Sequence, residues 1–415
     1  MKPALLSTMP LRRIPASSRR NLAAIAFAAI AVGIGACSGN GTTSSSNQLL
    51  PKVKSDHSTP PPYTFTFAPV DYTLGGDQTR VNGIDERSAI VVGVSGTGPS
   101  SYSSWTAHTP LPLSTGFREF RTHDYPGASG TYMAAMSSGF YQAGTVFSPP
   151  PSGGLACNAC GVVHYNQGIG SGYDGDKCGS TQCEWTFMVD PNEGSGQCAV
   201  TQVTGLGGLN MVVGYYQQGA SSCGTQAFEG YYNSSGTYFA DFSVPGADSN
   251  TTEATGMNEE GETVGVAQFN GHTAGWYYKE AEYCTDLSAP NSKATYPTGV
   301  NWQDQVVGYY VDSSQNTHGF MLLNPDAPAS SQVWETVDDP LASGYTMVSH
   351  INTHHTITGW YKDASGGIHG FVGTCTSSNC NTGGSQVKRE RHSGPHGTSG
   401  SSNCTPSGSF IWKRR

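Results

Sequence analysis

The chain has 415 residues, of which only 12% are charged and 54 are glycine, and its formal net charge is −9. So much glycine, together with abundant serine and threonine, weakens helix interiors and excludes a fold built of long helices. Residues 37–374 carry ten Lys and Arg against 29 Asp and Glu. This acidic body would be repelled by phosphate backbones, which excludes nucleic acid as its partner.

The first 36 residues have the organisation of an export signal. Residues 1–20 are basic, residues 21–34 are apolar but short for a membrane span, and two small residues precede Cys37. This order resembles the lipobox of bacterial lipoproteins, in which the cysteine is lipidated and becomes the new N-terminus. We therefore expect Cys37 to anchor the protein to the bacterial cell envelope, at the outer membrane in a Gram-negative host. The alternative is an ordinary secretory signal in which Cys37 has no role.

Two segments without repeat character flank the central part of the chain. Residues 37–62 are rich in Ser, Thr and Pro, which predicts a flexible tether between the lipid and the folded domain. Residues 375–415 are basic and have few apolar side chains, which predicts a largely disordered tail.

Residues 63–374 contain a repeated pattern. The clearest copy reads Thr-Gly-Val-Asn from Thr298, Val-Gly-Tyr-Tyr ending at Tyr310, and Thr-His-Gly-Phe from Thr317. In each copy one glycine ends an apolar stretch, and successive anchor glycines are 43 to 70 residues apart. The six anchors are Gly93, Gly144, Gly214, Gly265, Gly308 and Gly359. A period near 40–50 residues with strand-forming chemistry is typical of β-propeller blades rather than helical repeats.

Each copy predicts four antiparallel strands, so the expected fold is all-β, a six-bladed β-propeller. Residues 63–72, from Tyr63 to Tyr72, look like a fourth strand that precedes any first strand, whereas the last copy lacks one. We therefore expect this N-terminal strand to complete the last blade and close the ring, which removes exposed edges. A Cys-rich insertion at about 148–182 interrupts the second copy, whose third strand is expected near 161–165.

The three elements of the clearest copy together resemble the probable extracellular repeat of the HAF family. The resemblance covers about residues 63–374 and is clearest in the last four copies. The third copy departs from the pattern with Gly207 where Asn is expected, and two copies lack the His. The resemblance implies an exported repeat protein and no particular chemistry.

Apart from Cys37, the chain has ten cysteines, an even number that favours disulfides in an exported protein. The alternative is a zinc site formed by the first four of them, against which an oxidising compartment argues. The disulfide candidates are Cys157, Cys160, Cys178, Cys183, Cys198, Cys223, Cys284, Cys375, Cys380 and Cys404.

Aromatic pairs follow the anchor glycine in three copies. Because adjacent strand residues point to opposite faces, one ring of each pair can pack between sheets while the other stacks on a sugar. Nearby carboxylates would bond its hydroxyl groups. The candidate ligand-binding residues are Tyr216, Tyr310, Tyr361, Asp312 and Asp363. The alternative is that both faces of these strands pack on neighbouring blades.

Histidines are the other residues that suggest chemistry. His318 and His369 occupy equivalent places in different copies, so we expect them to bond a neighbouring strand rather than share a metal. Three further histidines, His350, His354 and His355, surround one turn and are interpreted as loop residues.

No sequence motif of a hydrolase, a nucleotide-binding loop or a zinc protease occurs in the chain. We therefore expect no catalytic residue, no cofactor and no metal. The leading hypothesis is a non-enzymatic binding or scaffold module of the cell envelope, with a glycan or an envelope protein as its ligand. The alternative is a propeller enzyme, a metal-dependent hydrolase or lyase, with carboxylate, Asn or His ligands converging at the channel mouth. A passive surface-layer component is a third possibility.

Overall fold

The computed structural model describes residues 63–72, 78–109, 116–137, 141–149, 157–166, 183–208, 210–220, 222–378, 380, 404–406 and 413–414. These residues form β-strands with short connections, including 3-10 turns at Gly196–Cys198 and Ala329–Ser331. No helix within these ranges has the length and hydrophobicity needed to cross a membrane. The predicted signal, the lipidation site Cys37 and the tether lie outside the described residues.

The strands follow one another in groups of four. After β1 (Phe65–Val70), sheet 1 contains β2 (Thr79–Ile84), β3 (Ile90–Ser95), β4 (Ser103–His108) and β5 (Arg118–Thr122). Sheet 2 contains β6 (Gly130–Met136), β7 (Tyr141–Phe147), β8 (Ala159–Asn166) and β9 (Cys183–Met188). Sheet 3 contains β10 (Thr201–Leu206), β11 (Met211–Gln218), β12 (Gly224–Asn233) and β13 (Gly236–Phe242). Sheet 4 contains β14 (Glu253–Met257), β15 (Thr263–Phe269), β16 (His272–Lys279) and β17 (Glu282–Leu287). Sheet 5 contains β18 (Ser292–Val300), β19 (Val306–Asp312), β20 (Thr317–Leu322) and β21 (Trp334–Thr336). Sheet 6 contains β22 (Thr346–Ile351), β23 (Thr356–Lys362) and β24 (Ile368–Cys375).

Within each group, neighbouring strands pair antiparallel in chain order. Sheet 6 obtains its fourth strand from the other end of the repeats, because β1 pairs with β24 from Phe65 opposite Cys375 to Val70 opposite Gly370. These pairings confirm the prediction of an all-β fold with four-stranded antiparallel sheets. The third strand of the second copy is β8, at Ala159–Asn166 and inside the predicted insertion.

The anchor glycines occupy places where a side chain has no room. A Cβ on Gly308 would overlap the carbonyl oxygen of Tyr296 and lie 2.9 Å from the ring of Phe320. The same two contacts, a first-strand carbonyl and a third-strand aromatic ring, enclose Gly214 and Gly359. The repeated glycine therefore allows the aromatic ring of the third strand to pack directly against the backbone of the second strand in these copies.

Consecutive sheets are joined by a recurring backbone contact. A parallel bridge links the start of one third strand to the start of the next first strand, as between Thr273 and Ala294, which connects sheets 4 and 5 into one hydrogen-bonded set. Equivalent bridges join sheets 2 to 3, 3 to 4 and 5 to 6, at Ala159–Val200, Thr225–Thr251 and Thr317–Tyr345. Sheet 6 makes the same bridge to sheet 1, between Ile368 and Gln78. Sheet 1 meets sheet 2 through the Thr131 amide, which donates to the Tyr102 carbonyl at 2.9 Å.

The repeated asparagine stabilises both its own turn and the contact with the next sheet. The Asn301 side-chain oxygen accepts bonds from the amides of Gln303 and Gln305 at 3.1 Å, while its side-chain nitrogen donates to the Asn352 carbonyl at 3.2 Å. Asn352 in turn donates to the carbonyl of Asp85 in sheet 1 at 3.0 Å. A residue that satisfies three backbone groups in this way is structural rather than ligand-binding.

The C-terminal tail adds two short strands to the outer edges of the sheets. β25 (Cys404–Pro406) pairs with β17, and β26 (Lys413–Arg414) pairs with β13. Two ordered strands therefore lie within the stretch that the sequence predicts to be disordered.

Four disulfides are formed among the described cysteines, which supports the disulfide prediction and is typical of exported proteins. The pairs are Cys157–Cys160, Cys198–Cys223, Cys284–Cys404 and Cys375–Cys380. The first of these pairs occupies two cysteines of the alternative zinc site. Of the other two, Cys178 lies outside the described residues and the side chain of Cys183 is not among those described.

Candidate ligand-binding cavity

A cavity of about 280 Å³ is lined by residues from all six first strands, β2, β6, β10, β14, β18 and β22. We call it the first-strand cavity. It is the place where the repeated copies face one another, so residues that differ between copies can combine into one site here. Its polar lining includes Asn82, Gln202, Glu253, Ser349 and His350.

A β-bulge at the same position of every first strand turns a side chain into this cavity. In β18 the pairing register shifts between Pro297 and Gly299, and the bulged residue Thr298 lines the cavity. An extra residue in one strand of a pair bends that strand and re-aims its side chain. The six bulged residues, all of them in the lining, are Asn82, Ala134, Thr204, Thr255, Thr298 and Ser349.

The bulged polar side chains also bond the adjacent strand. Asn82 donates to the Met133 carbonyl at 2.8 Å, and Thr298 donates to the Val348 carbonyl at 2.7 Å. These bonds fix the wall of the first-strand cavity, so its shape exists before any ligand arrives. A preformed pocket lowers the entropic cost of binding.

Aromatic rings form much of the cavity wall on the side of sheets 1 to 3. Tyr102, Tyr132, Phe147 and Tyr215 all belong to the lining. The Tyr102 ring lies 5.4 Å from that of Tyr132 and 6.1 Å from that of Phe147, centroid to centroid. Rings of this kind offer both a flat apolar face and a hydroxyl group to a bound molecule.

The Glu253 carboxylate of the lining acts electrostatically on Tyr215 and on two further tyrosines, Tyr296 and Tyr309. Burial raises the pKa of Tyr215, Tyr296 and Tyr309, and Glu253 raises each of them further. The rings of Tyr296 and Tyr309 stack at 4.7 Å. All three phenols therefore stay protonated at neutral pH, and each carries an O–H donor.

His350 lines the same cavity from sheet 6. Burial lowers the pKa of His350 to about 4, so its imidazole is neutral at physiological pH. It offers one donor and one acceptor to a ligand and no charge.

The tyrosines predicted from the sequence lie elsewhere. Tyr216, Tyr310 and Tyr361 are 3%, 8% and 4% exposed and pack in apolar clusters between sheets. The structure gives these three rings no open face. Of the pair Tyr215 and Tyr216, Tyr215 lines the cavity. The sequence does not distinguish the members of such a pair, because both are aromatic.

The two predicted aspartates close hairpin turns. Asp312 accepts bonds from the amides of Ser314 and Asn316 at 2.7 and 2.8 Å, and Asp363 accepts from the amide of Gly367 at 2.8 Å. The Asp363 carboxylate is held ionised, because its bond from the Ser365 hydroxyl in particular lowers its pKa to about 2. Neither belongs to the lining of the first-strand cavity.

The repeated histidines join the strands of their own sheet. His318 Nδ1 lies 2.7 Å from Asp338 and its Nε2 lies 3.5 Å from Asp312, with its ring stacked on Tyr310. His369 lies in the same way between Asp71 and Asp363. This geometry agrees with the architectural interpretation of both histidines.

A second polar cluster lies between sheets 4 and 5. The Lys279 ammonium contacts Asp304 and lies 2.9 Å from Glu262, and the Tyr277 hydroxyl donates to Asp304 at 3.0 Å. Burial and then Asp304 raise the pKa of Glu262 to about 7, against the opposing effect of Lys279. Because every charged group here has a partner of opposite charge, and the Lys279–Asp304 pair joins the two sheets, the cluster is a structural ion-pair network.

Among the described residues, no group of three His, Cys, Asp or Glu side chains is arranged to hold a metal ion. The histidines His354 and His355 lie at the turn after β22 and take part in no such group. No known protein-family model matches this chain, and a search among curated proteins finds no significant match.

Proposed function

We propose that the protein is a six-bladed β-propeller that binds a sugar in the first-strand cavity and works as a non-enzymatic, lipid-anchored module of the cell envelope. The single observation that carries the proposal is the cavity itself. Six strands from six sheets converge on it, and it combines flat aromatic rings with tyrosine, amide and carboxylate groups.

Three features support a closed ring of six blades. The parallel bridges that join consecutive sheets recur between sheets 6 and 1. The Asn352 side chain crosses the same junction to the Asp85 carbonyl. Strand β1 covers the edge of β24, which would otherwise remain open to aggregation. Together these make sheet 6 the neighbour of both sheet 5 and sheet 1.

The chemistry of the cavity favours a sugar over a purely apolar ligand. The faces of Tyr132 and Phe147 suit the C–H face of a pyranose ring, while Gln202, Thr255 and Ser349 suit its hydroxyl groups. The volume of about 280 Å³ is at the lower end of small-molecule pockets, which fits one sugar ring better than a long chain.

The proposed location rests on two kinds of observation. The lipobox-like segment ending at Cys37 is the sequence basis for an anchor. The four disulfides are typical of proteins in an oxidising compartment, such as the space outside the bacterial cytoplasm, and so support this location. The resemblance of the repeats to the HAF extracellular repeat agrees with this location and remains a prediction from the sequence.

A glycan-binding panel with matched variants tests the proposed function. We expect at least one saccharide to bind, and we expect Tyr132→Ala to weaken that binding about tenfold, equivalent to ~1.4 kcal/mol. The control is Tyr238→Ala on the fourth strand β13, away from the cavity, which should bind as the wild type does. A panel without binders, equal binding by Tyr132→Ala, or turnover of a bound saccharide would each contradict the proposal.

A further inference from the structure

The geometry assigns an anion subsite to the rim of the first-strand cavity, formed by Arg80 and Lys362, and so identifies the ligand class as an acidic sugar carrying a carboxylate. This inference rests on the proposed function, because it specifies which sugar the cavity takes.

Arg80 is placed against the cavity by the strand that carries it. It stands two residues before the bulged Asn82, the place that Tyr132, Gln202 and Glu253 hold before the bulged residues of β6, β10 and β14, and those three residues line the cavity. Its guanidinium carbon is 5.8 Å from the ring centroid of Tyr102, a cavity residue, and 5.1 Å from that of Trp360. A guanidinium held between two rings keeps a fixed direction.

Arg80 keeps hydrogen-bond donors available in that position. One terminal nitrogen donates to the Gly96 carbonyl at 3.0 Å, and the other donates to the Gln78 side-chain oxygen at 3.1 Å. A guanidinium has five N–H donors, so three of them have no hydrogen-bond partner among the described residues. The planar fork suits the two oxygens of a carboxylate.

Lys362 brings a second positive charge to the same rim. Its ammonium lies 4.0 Å from the ring centroid of Tyr345, and this ring stacks on Trp360 at 5.2 Å, so the two cations flank one aromatic pair. Burial and the nearby Arg80 charge lower the pKa of Lys362. The two like charges are therefore close enough to repel each other.

One carboxylate, that of Glu253, lines the cavity and acts on Tyr215, Tyr296 and Tyr309. No acidic side chain forms a salt bridge with the two cations within the described residues. Arg80 and Lys362 take part in no salt bridge there, although residues 37–374 hold 29 Asp and Glu against ten Lys and Arg. Elsewhere Lys279 and Arg87 each contact a carboxylate. Two cations that have no carboxylate partner among the described residues, beside an aromatic cavity, form a site that the carboxylate of a ligand would complete.

The carboxylate of a uronic acid satisfies both parts of this arrangement. Its sugar ring matches the aromatic wall at Tyr102 and Tyr132, and the carboxylate on the same ring reaches the rim. Free phosphate matches the cations alone and gains nothing from the rings. A neutral sugar matches the rings alone and leaves the two cations repelling each other.

The test compares trigalacturonate with its methyl ester, which removes the charge and keeps the sugar rings. Isothermal titration with the full chain at low salt should show trigalacturonate binding at least tenfold more tightly than the ester. Arg80→Gln and Lys362→Gln should each reduce that ratio several-fold while leaving the affinity for the ester within about twofold. Arg118→Gln, an exposed cation on the fourth strand β5, is the matched control and should keep the ratio.

The outcomes separate the two proposals. Equal binding of acid and ester, or an unchanged ratio in both rim variants, overturns the anion subsite and leaves the sugar-binding function standing. Displacement of trigalacturonate by equimolar inorganic phosphate also overturns the inference, because it identifies a site for a bare anion. If neither form binds and Tyr132→Ala changes nothing with any saccharide, both proposals fail. Thermal melting of each variant checks that it is folded.

Discussion

At the residue scale, histidines have two roles in this fold: some bond neighbouring strands, and one lines the cavity. Hydrogen bonding to Asp338 raises the pKa of His318. In His369 burial acts in the opposite direction, but bonds to Asp71 and Asp363 raise its pKa overall. Burial alone lowers the pKa of His350 to about 4. The histidine pKa is therefore raised where the ring bonds carboxylates between strands and lowered where the ring is buried at the cavity.

We predict that His318 titrates above 6.5 and that His350 titrates near 4 in an NMR pH titration. A raised folded pKa means that the stabilisation by protonated His318 is present below pH 6.5 and is lost as pH rises through the folded value. Asp338→Asn should therefore lower the free energy of unfolding near pH 5.5 and have little effect at pH 9. The expected loss is about 0.5 kcal/mol, since both side chains are partly exposed and solvent screens the pair.

The contribution of His350 to stability depends on pH with the opposite sign. Its depressed folded pKa means that the stabilisation from the neutral form is present above pH 6.5 and is lost as pH falls toward about 4. A His318 resonance that titrates below 6.5, or a His350 resonance that titrates above it, would contradict these assignments.

At the element scale, the anchor glycine is what makes one sheet pattern repeat six times. We predict that Gly308→Ala lowers the free energy of unfolding by about 2 kcal/mol, because its Cβ would enter space held by the Tyr296 carbonyl and the Phe320 ring. The matched control is Gly98→Ala, since an added Cβ there meets no atom within 4 Å. Chemical denaturation measures both, and equal stability of the two variants would show that the close approach is unimportant.

For the strands, the sequence predicts position but not side-chain direction. Strand positions were predictable because turn residues and prolines bound each apolar run, as at β13 and β17. The face of the strand on which each aromatic side chain lies was not predictable. A shift of one residue exchanges the two faces of a strand, and Tyr215 and Tyr216 are the same residue type, so nothing in the pair itself fixes the register.

Aligning the six copies with one another gives a sequence signal for the cavity wall. Each bulged residue stands directly before the residue at which pairing with the second strand resumes, as Thr298 stands before Gly299. The six copies differ at this place, where Asn, Ala, Thr and Ser occur. Positions that vary within an otherwise regular repeat are where a site can be built. The rim cations are not found by this comparison, because the rings that flank Arg80 come from two copies, Tyr102 from its own and Trp360 from the last.

At the scale of the whole molecule, the strands β1 and β25, which precede and follow the six repeats, are fixed to the sheets in different ways. The N-terminal strand β1 supplies the missing edge of sheet 6, and β25 is held to β17 by the Cys284–Cys404 disulfide, which joins residues 120 apart in sequence. A crosslink over a loop of that length removes much of the freedom of the unfolded chain. The cavity between the first strands is thus enclosed by a framework that a short repeat could not form alone.

A crystal structure of the full chain, grown with the saccharide that binds most tightly in the panel, tests the central claim most directly. The account predicts six four-stranded sheets around one axis and a sugar ring in the first-strand cavity, stacked on Tyr132 and within hydrogen-bonding distance of the bulged side chains. Sheets that do not close between β2 and β22, or a sugar bound anywhere outside that cavity, would contradict it.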